Sequence, residues 1–161
     1  MTMFSERKSP RADFHNYSGG CYFITVCTKD KIHYFGRIAD GKMYYTALGD
    51  FCRLQLEKIH DHYSYAEVLQ FVVMPNHIHA VISIKPQYDD NSFPAERTAL
   101  SVVVGGLKRA VTLFSRRNNF NFAWQGRYHD HIIRGKSDII NISNYIDTNI
   151  DRWDMDCFYS E

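Results

Sequence analysis

The stretch from Val68 to Ile84 constrains this chain more than any other. Val68-Leu69-Gln70-Phe71-Val72-Val73-Met74 is nearly continuous in apolar and β-branched residues, Pro75-Asn76 supplies turn chemistry, and His77 through Ile84 resumes the same character. Two buried strands joined by a tight turn are the natural reading, with histidines just past the turn. Side chains two apart on a strand leave the same face, so His77 and His79 project together at a separation from which two imidazoles can grip one ion. Two imidazoles on one face of an otherwise apolar strand are costly unless something pairs with them. Taken alone, H-x-H also fits surface histidines or satisfied core histidines.

The flanking segments give the rest of the order. Residues 1–20 read as a basic, aromatic arm, and Cys21 to Thr28 reads as a first strand. Asp40-Gly41, a favoured hairpin turn, lies between Arg37-Ile38-Ala39 and Met43-Tyr44-Tyr45, which can form a small ribbon. A helix follows over Asp50 to His60 with an imperfect period, then the two central strands, then a polar connection from Lys85 to Glu96. Leu100, Val103, Val104, Leu107, Val111 and Phe114 recur at three- and four-residue steps, the pattern of an amphipathic helix. Gly105-Gly106 inside it costs about 1 kcal/mol per glycine relative to alanine, which close packing would justify. A last strand is expected over Arg127 to Ile133. A final helix over residues 136–153 places Ile139, Ile142, Ile146, Ile150 and Trp153 on one stripe. The order βαββαβ with an added C-terminal helix matches a ferredoxin-like α+β sandwich, an antiparallel sheet with helices on one face.

At 161 residues, the chain is expected to be a single domain spanning 1–161. Cys21, Cys27, Cys52 and Cys157 lack the spacing of a zinc site or disulfide framework and read as reduced thiols. No stretch approaches the roughly 20 apolar residues of a membrane span, so a cytoplasmic protein is expected. The net charge of +1 conceals a basic cluster, Lys108, Arg109, Arg116 and Arg117, on the second long helix. That cluster is a candidate phosphate-binding face or an ordinary solvated one.

Tyr145 and Asn149 stand one helical turn apart beside the apolar stripe of the last helix. Periodicity leaves Tyr145 open as a packing residue or a reactive one. The longer context resembles a known family. Phe71-Val72-Val73-Met74-Pro75-Asn76-His77-Ile78-His79 resembles the HUH segment of the IS200-like transposases, and especially of the REP-associated tyrosine transposases. Tyr22-Phe23-Ile24-Thr25, Phe35-Gly36 and Asp40-Gly41 are similar to the opening of that group. The segment from Trp124 to Arg134 is similar to its W-Q-x-x-Y-x-x-H-I-I-R pattern, and Tyr145-Ile146-Asp147-Thr148-Asn149 to its Y-I-x-x-N. One departure is Ile150, where the family usually has proline; without proline the helix can run a turn further.

The resemblance implies Tyr145 as a nucleophile and His77, His79 and Asn149 as ligands of Mg²⁺ or Mn²⁺, which suit such a site better than Zn²⁺ for turnover. It further implies cleavage and rejoining of single-stranded DNA beside hairpins through a 5′-phosphotyrosine. Candidate DNA contacts are Arg7, Lys8 and Arg11 in the arm, Lys108, Arg109, Arg116 and Arg117, and Arg127 and Arg134 flanking the last strand. His129 and His131 form a second H-x-H that ranks below the first. Both monomer and homodimer are open, because in smaller relatives the tyrosine helix can serve a partner's site. The rival from another class is a non-catalytic single-stranded nucleic-acid-binding module on the same sheet.

Overall fold

The computed structural model describes residues 20–85 and 98–161. Arg7, Lys8 and Arg11 of the expected arm, and nearly all of the polar connection after Lys85, lie outside those residues.

Four strands form one sheet: β1 (Gly20–Cys27), β4 (Ala66–Met74), β5 (His77–Ile84) and β6 (His129–Ile132). Their spatial order is β4-β5-β1-β6 with every neighbour antiparallel, the order of a ferredoxin-like sheet. Between β1 and β4 the chain makes a short ribbon, β2 (Gly36–Ala39) and β3 (Lys42–Tyr45), and two helices, α1 (Ala47–Glu57) and α2 (Ile59–His62). Asp40 and Gly41 join the ribbon with φ of 53° and 71°, the left-handed pair that a two-residue hairpin turn requires. Between β5 and β6 runs α3 (Ala99–Arg117), and α4 (Lys136–Asp147) follows the last strand.

Alternation along the strands sorts the core into two layers. Tyr22, Ile24, Val26, Val73, Ile78, Ala80 and Ile82 face α1 and α3, where they meet Cys52, Leu56, Leu100, Val103, Val104 and Leu107. The two helices touch through Phe51 and Phe114, whose rings stack at 4.0 Å. Thr46 and Thr98 start these helices by accepting hydrogen bonds from Gly49 and Ser101 backbone N–H groups. Gly106 leaves room for the Tyr63 phenol, which a β-carbon there would overlap; close packing therefore accounts for one of the two mid-helix glycines. Phe23, Val72, Met74 and Val81 point the other way and are covered by Ile142 and Ile146 of α4 and by Trp153. The expected helices thus share one face, and the tyrosine helix covers the opposite one.

Three boundaries differ from expectation. The first helix begins at Ala47 and breaks at Lys58, so its buried face is Leu48, Cys52 and Leu56, with Ile59 belonging to α2. That break is the source of the imperfect period. The last strand is shorter than expected, because Arg127 has a φ of 68° and cannot continue a strand. The last helix ends at Asp147 and not near Trp153. Thr148 caps it, its hydroxyl bonding back to the Asn144 carbonyl, and the chain then turns, with a 3₁₀ turn at Trp153–Met155. Ile150 does not prolong the helix; it packs, half-buried, into the same apolar layer.

Candidate active site

His77 and His79 open β5 on the face covered by α4, and both side chains are fully buried. Across the sheet, His77 stands opposite Met74 and Cys27, and His79 opposite Val72 and Thr25. Their Nε2 atoms lie 3.0 Å apart. Each ring is held from behind by its other nitrogen. Asn76 donates through Nδ2 to the Phe158 carbonyl at 2.8 Å, which leaves its Oδ1 to accept from His77 Nδ1 at 2.7 Å. The His77 proton is therefore assigned to Nδ1, and Nε2 carries a lone pair into the site. His79 Nδ1 sits 2.8 Å from the Thr25 hydroxyl, which can donate or accept, so this ring can take either tautomer.

Burial keeps both imidazoles neutral. His77 is held well below the ordinary histidine value by burial, and further by His79 beside it. Burial pushes His79 down to about 3, opposed by a hydrogen bond to the Ile24 backbone. Neutral imidazole is the form that binds a metal. Phe23 stacks on His79 at 5.2 Å, and Phe158 packs against His77 at 4.6 Å, closing the pair off from water.

Tyr145 reaches this pair from the last turn of α4, its ring edge-on to His79 at 5.1 Å and to Phe23 at 6.2 Å. The structure therefore gathers Tyr145, His77 and His79 within one chain. Asn149 joins them from the turn just past the helix cap, and its side chain is buried. Its Nδ2 donates to Asp156 Oδ2 at 2.7 Å, and the Tyr145 phenol donates to the same oxygen at 3.4 Å. Burial raises the Tyr145 pKa above the ordinary phenol value, and the negative Asp156 raises it further. At neutral pH this phenol carries its proton.

Donor chemistry tests whether these residues suit a divalent cation. Ligand atoms of His77, His79 and Asp156 all lie within 4.8 Å of one another. The Asn149 Oδ1 is buried and accepts no hydrogen bond among the described residues, an unmet acceptor of the kind a cation satisfies. Two neutral nitrogens with oxygen donors fit Mn²⁺ or Mg²⁺.

Sequence reasoning missed Asp156, Asn76 as an orienting residue, Thr25 and Phe158. Asn76 was legible only as a turn former. Asp156 lies beyond the last motif, with no periodic relation to it. The α3 cations fall elsewhere: that helix packs on the face of the sheet opposite Tyr145. Arg109, Arg116 and Arg117 are exposed there. Lys108 Nζ donates to the Gln125 carbonyl at 3.2 Å. Arg127 and Arg134 are exposed at the two ends of β6. His131 Nε2 bonds Asp138 at 2.8 Å and so ties β6 to the start of α4.

The family model described as "Transposase IS200 like" matches residues 21–149. The chain belongs to the IS200-like transposase family. Within that match lie His77, His79, Tyr145 and Asn149, whereas Asp156 and Phe158 come from beyond it. The chain is 33% identical to an uncharacterized protein of Haemophilus influenzae, over 95% of this chain and 93% of that protein. A second protein of that organism, named as a REP-associated tyrosine transposase, is 27% identical over 84% of this chain and 72% of its own length. Among solved structures, a REP-associated tyrosine transposase bound to a REP hairpin aligns with a TM-score of 0.63. It shares 20% identity, over 89% of this chain and 74% of that one, and so supports the fold. No helix among the described residues is long and apolar enough to cross a membrane.

Proposed function

We propose that this transposase cleaves and rejoins single-stranded DNA beside hairpins, with Tyr145 as the nucleophile and His77, His79 and Asn149 as ligands of Mg²⁺ or Mn²⁺. The observation that carries the reading is the meeting of Tyr145 with the histidine pair inside one chain, ring to ring at 5.1 Å. A bound divalent cation would supply charge stabilisation at the scissile phosphate. The chain's residues do the positioning. Asn76 and Thr25 hold the two imidazoles from behind, with the His77 lone pair facing the site. Phe23 and Phe158 exclude water around them.

Tyr145 Oη attacks the phosphorus in line, its O–H proton is released as the O–P bond forms, and the bond to the 3′ oxygen breaks. The departing 3′ oxygen takes up a proton, and the 5′ phosphate stays on tyrosine. A later 3′ hydroxyl reverses the step and reseals a strand without an external energy source. The approach of Tyr145 to His79 of its own chain supports action in cis. The hairpin in the solved relative supports a hairpin substrate here. Arg7, Lys8, Arg11, Lys108, Arg109, Arg116, Arg117, Arg127 and Arg134 are the phosphate-contact candidates.

Incubation with a labelled, hairpin-bearing single strand and Mn²⁺, followed by a denaturing gel, tests this reading. A labelled protein band is expected from the wild type and none from Tyr145→Phe. DNA binding with neither cleavage nor adduct would favour the non-catalytic binding module.

A further inference from the structure

The ligand set of the proposed function, two imidazoles and an amide, carries no negative charge. Hard divalent cations bind through oxygen, and their affinity rises with the number of charged ligands. Asp156 brings a carboxylate to the same place. An oxygen of it lies within 4.8 Å of a nitrogen on each of His77 and His79. Its Oδ2 is also the acceptor for the Nδ2 of Asn149, whose own Oδ1 is buried and unmet.

We propose that Asp156 is a fourth protein ligand of the divalent cation, an anionic one carried in by the segment after the tyrosine helix. This rests on the metal-site reading above and adds to it a residue outside the family match. Asp156 is placed by contacts that do not depend on a cation. Its backbone N–H closes the 3₁₀ turn on the Trp153 carbonyl at 3.0 Å, and its Oδ1 accepts from the Phe158 N–H at 2.8 Å. Two residues on, the Phe158 carbonyl accepts from Asn76, and Ser160 bonds His33 Nε2 at 2.8 Å. The carboxylate is therefore held beside the imidazoles in advance, with lone pairs left beyond those used by its three donors.

The test uses the full chain, stripped with a chelator and titrated with Mn²⁺ while free Mn²⁺ is read by electron paramagnetic resonance. Asp156→Asn is expected to weaken Mn²⁺ binding about 10-fold or more, and His79→Ala to abolish it. Thermal melting in chelator reports whether each variant is folded; should Asp156→Asn not fold, Asp156→Ser serves in its place. Asp156→Cys gives a readout that a structural role would not move: replacing an oxygen ligand with a thiolate raises the preference for Cd²⁺ over Mn²⁺. Wild-type Mn²⁺ affinity in folded Asp156→Asn, with binding lost in His79→Ala, overturns the inference and leaves the metal-site reading standing. An unchanged Cd²⁺ preference in Asp156→Cys also overturns it. Absence of Mn²⁺ binding by the wild type removes both.

Discussion

Asn76→Ala probes how the histidine pair is held. The substitution removes three contacts: the acceptor for His77 Nδ1 at 2.7 Å, and donors to the Phe158 carbonyl at 2.8 Å and the Lys31 carbonyl at 3.4 Å. The first leaves a buried N–H without its partner, a loss of about 1–3 kcal/mol, and the Phe158 bond adds about 1 kcal/mol. The longest bond contributes least. A total of about 2–4 kcal/mol should lower Tm by roughly 4–16 °C for a chain of this size. Orientation is lost along with stability. Without Asn76 the His77 ring can turn or shift its proton to Nε2, and losing such an outer partner typically weakens metal binding about 10- to 100-fold. Thermal melts in chelator and Mn²⁺ titration read the two effects separately. A folded Asn76→Ala protein with wild-type Mn²⁺ affinity would refute the claim that Asn76 fixes the His77 tautomer. An unchanged Tm would refute the burial arithmetic.

Three further outcomes follow from the same geometry. Because His77 and His79 are held neutral, the unfolded chain binds more protons than the folded one below the ordinary histidine value of 6.5. Their contribution to stability is present above that value and is lost as pH falls toward about 3, so Tm should drop between pH 7 and pH 5, less steeply in His79→Gln. Equal slopes in the two proteins would refute the assignment. Ile142→Ala opens a cavity under α4, where Ile142 is fully buried, and should cost about 2–5 kcal/mol by denaturant unfolding, with a loss of adduct at temperatures where the variant remains folded. If Tyr145 acts in cis, mixing His79→Ala with Tyr145→Phe should not restore strand cleavage; recovered activity in the mixture would show that tyrosine helices are exchanged between subunits.

The sheet was legible because its signals are local. The β4–β5 hairpin rests on a β-branched run around Pro75-Asn76, and α3 on an apolar period from Leu100 to Phe114, so both were readable without the fold. The end of α4 was not. The Ile150 and Trp153 side chains continue the apolar stripe into the turn, and periodicity does not distinguish a helix that persists from a turn whose side chains rejoin the same layer. At the site, His77 and His79 were visible from strand alternation, and Tyr145 and Asn149 from their spacing and family context. Asp156 and Phe158 were not, because they reach β5 only through tertiary packing of the segment after α4. The basic α3 residues show the converse: clustering in sequence placed them together, but not on the face that carries Tyr145.

Central to the proposed mechanism is a covalent bond between the Tyr145 phenol and DNA. The direct measurement is peptide mapping by mass spectrometry after reaction of the full chain with a hairpin-bearing single strand and Mn²⁺. A 5′-phosphonucleotide on the peptide containing Tyr145, absent in chelator and absent from Tyr145→Phe, is the expected result. Cleaved DNA with no modified peptide, or an adduct on another residue, would contradict it.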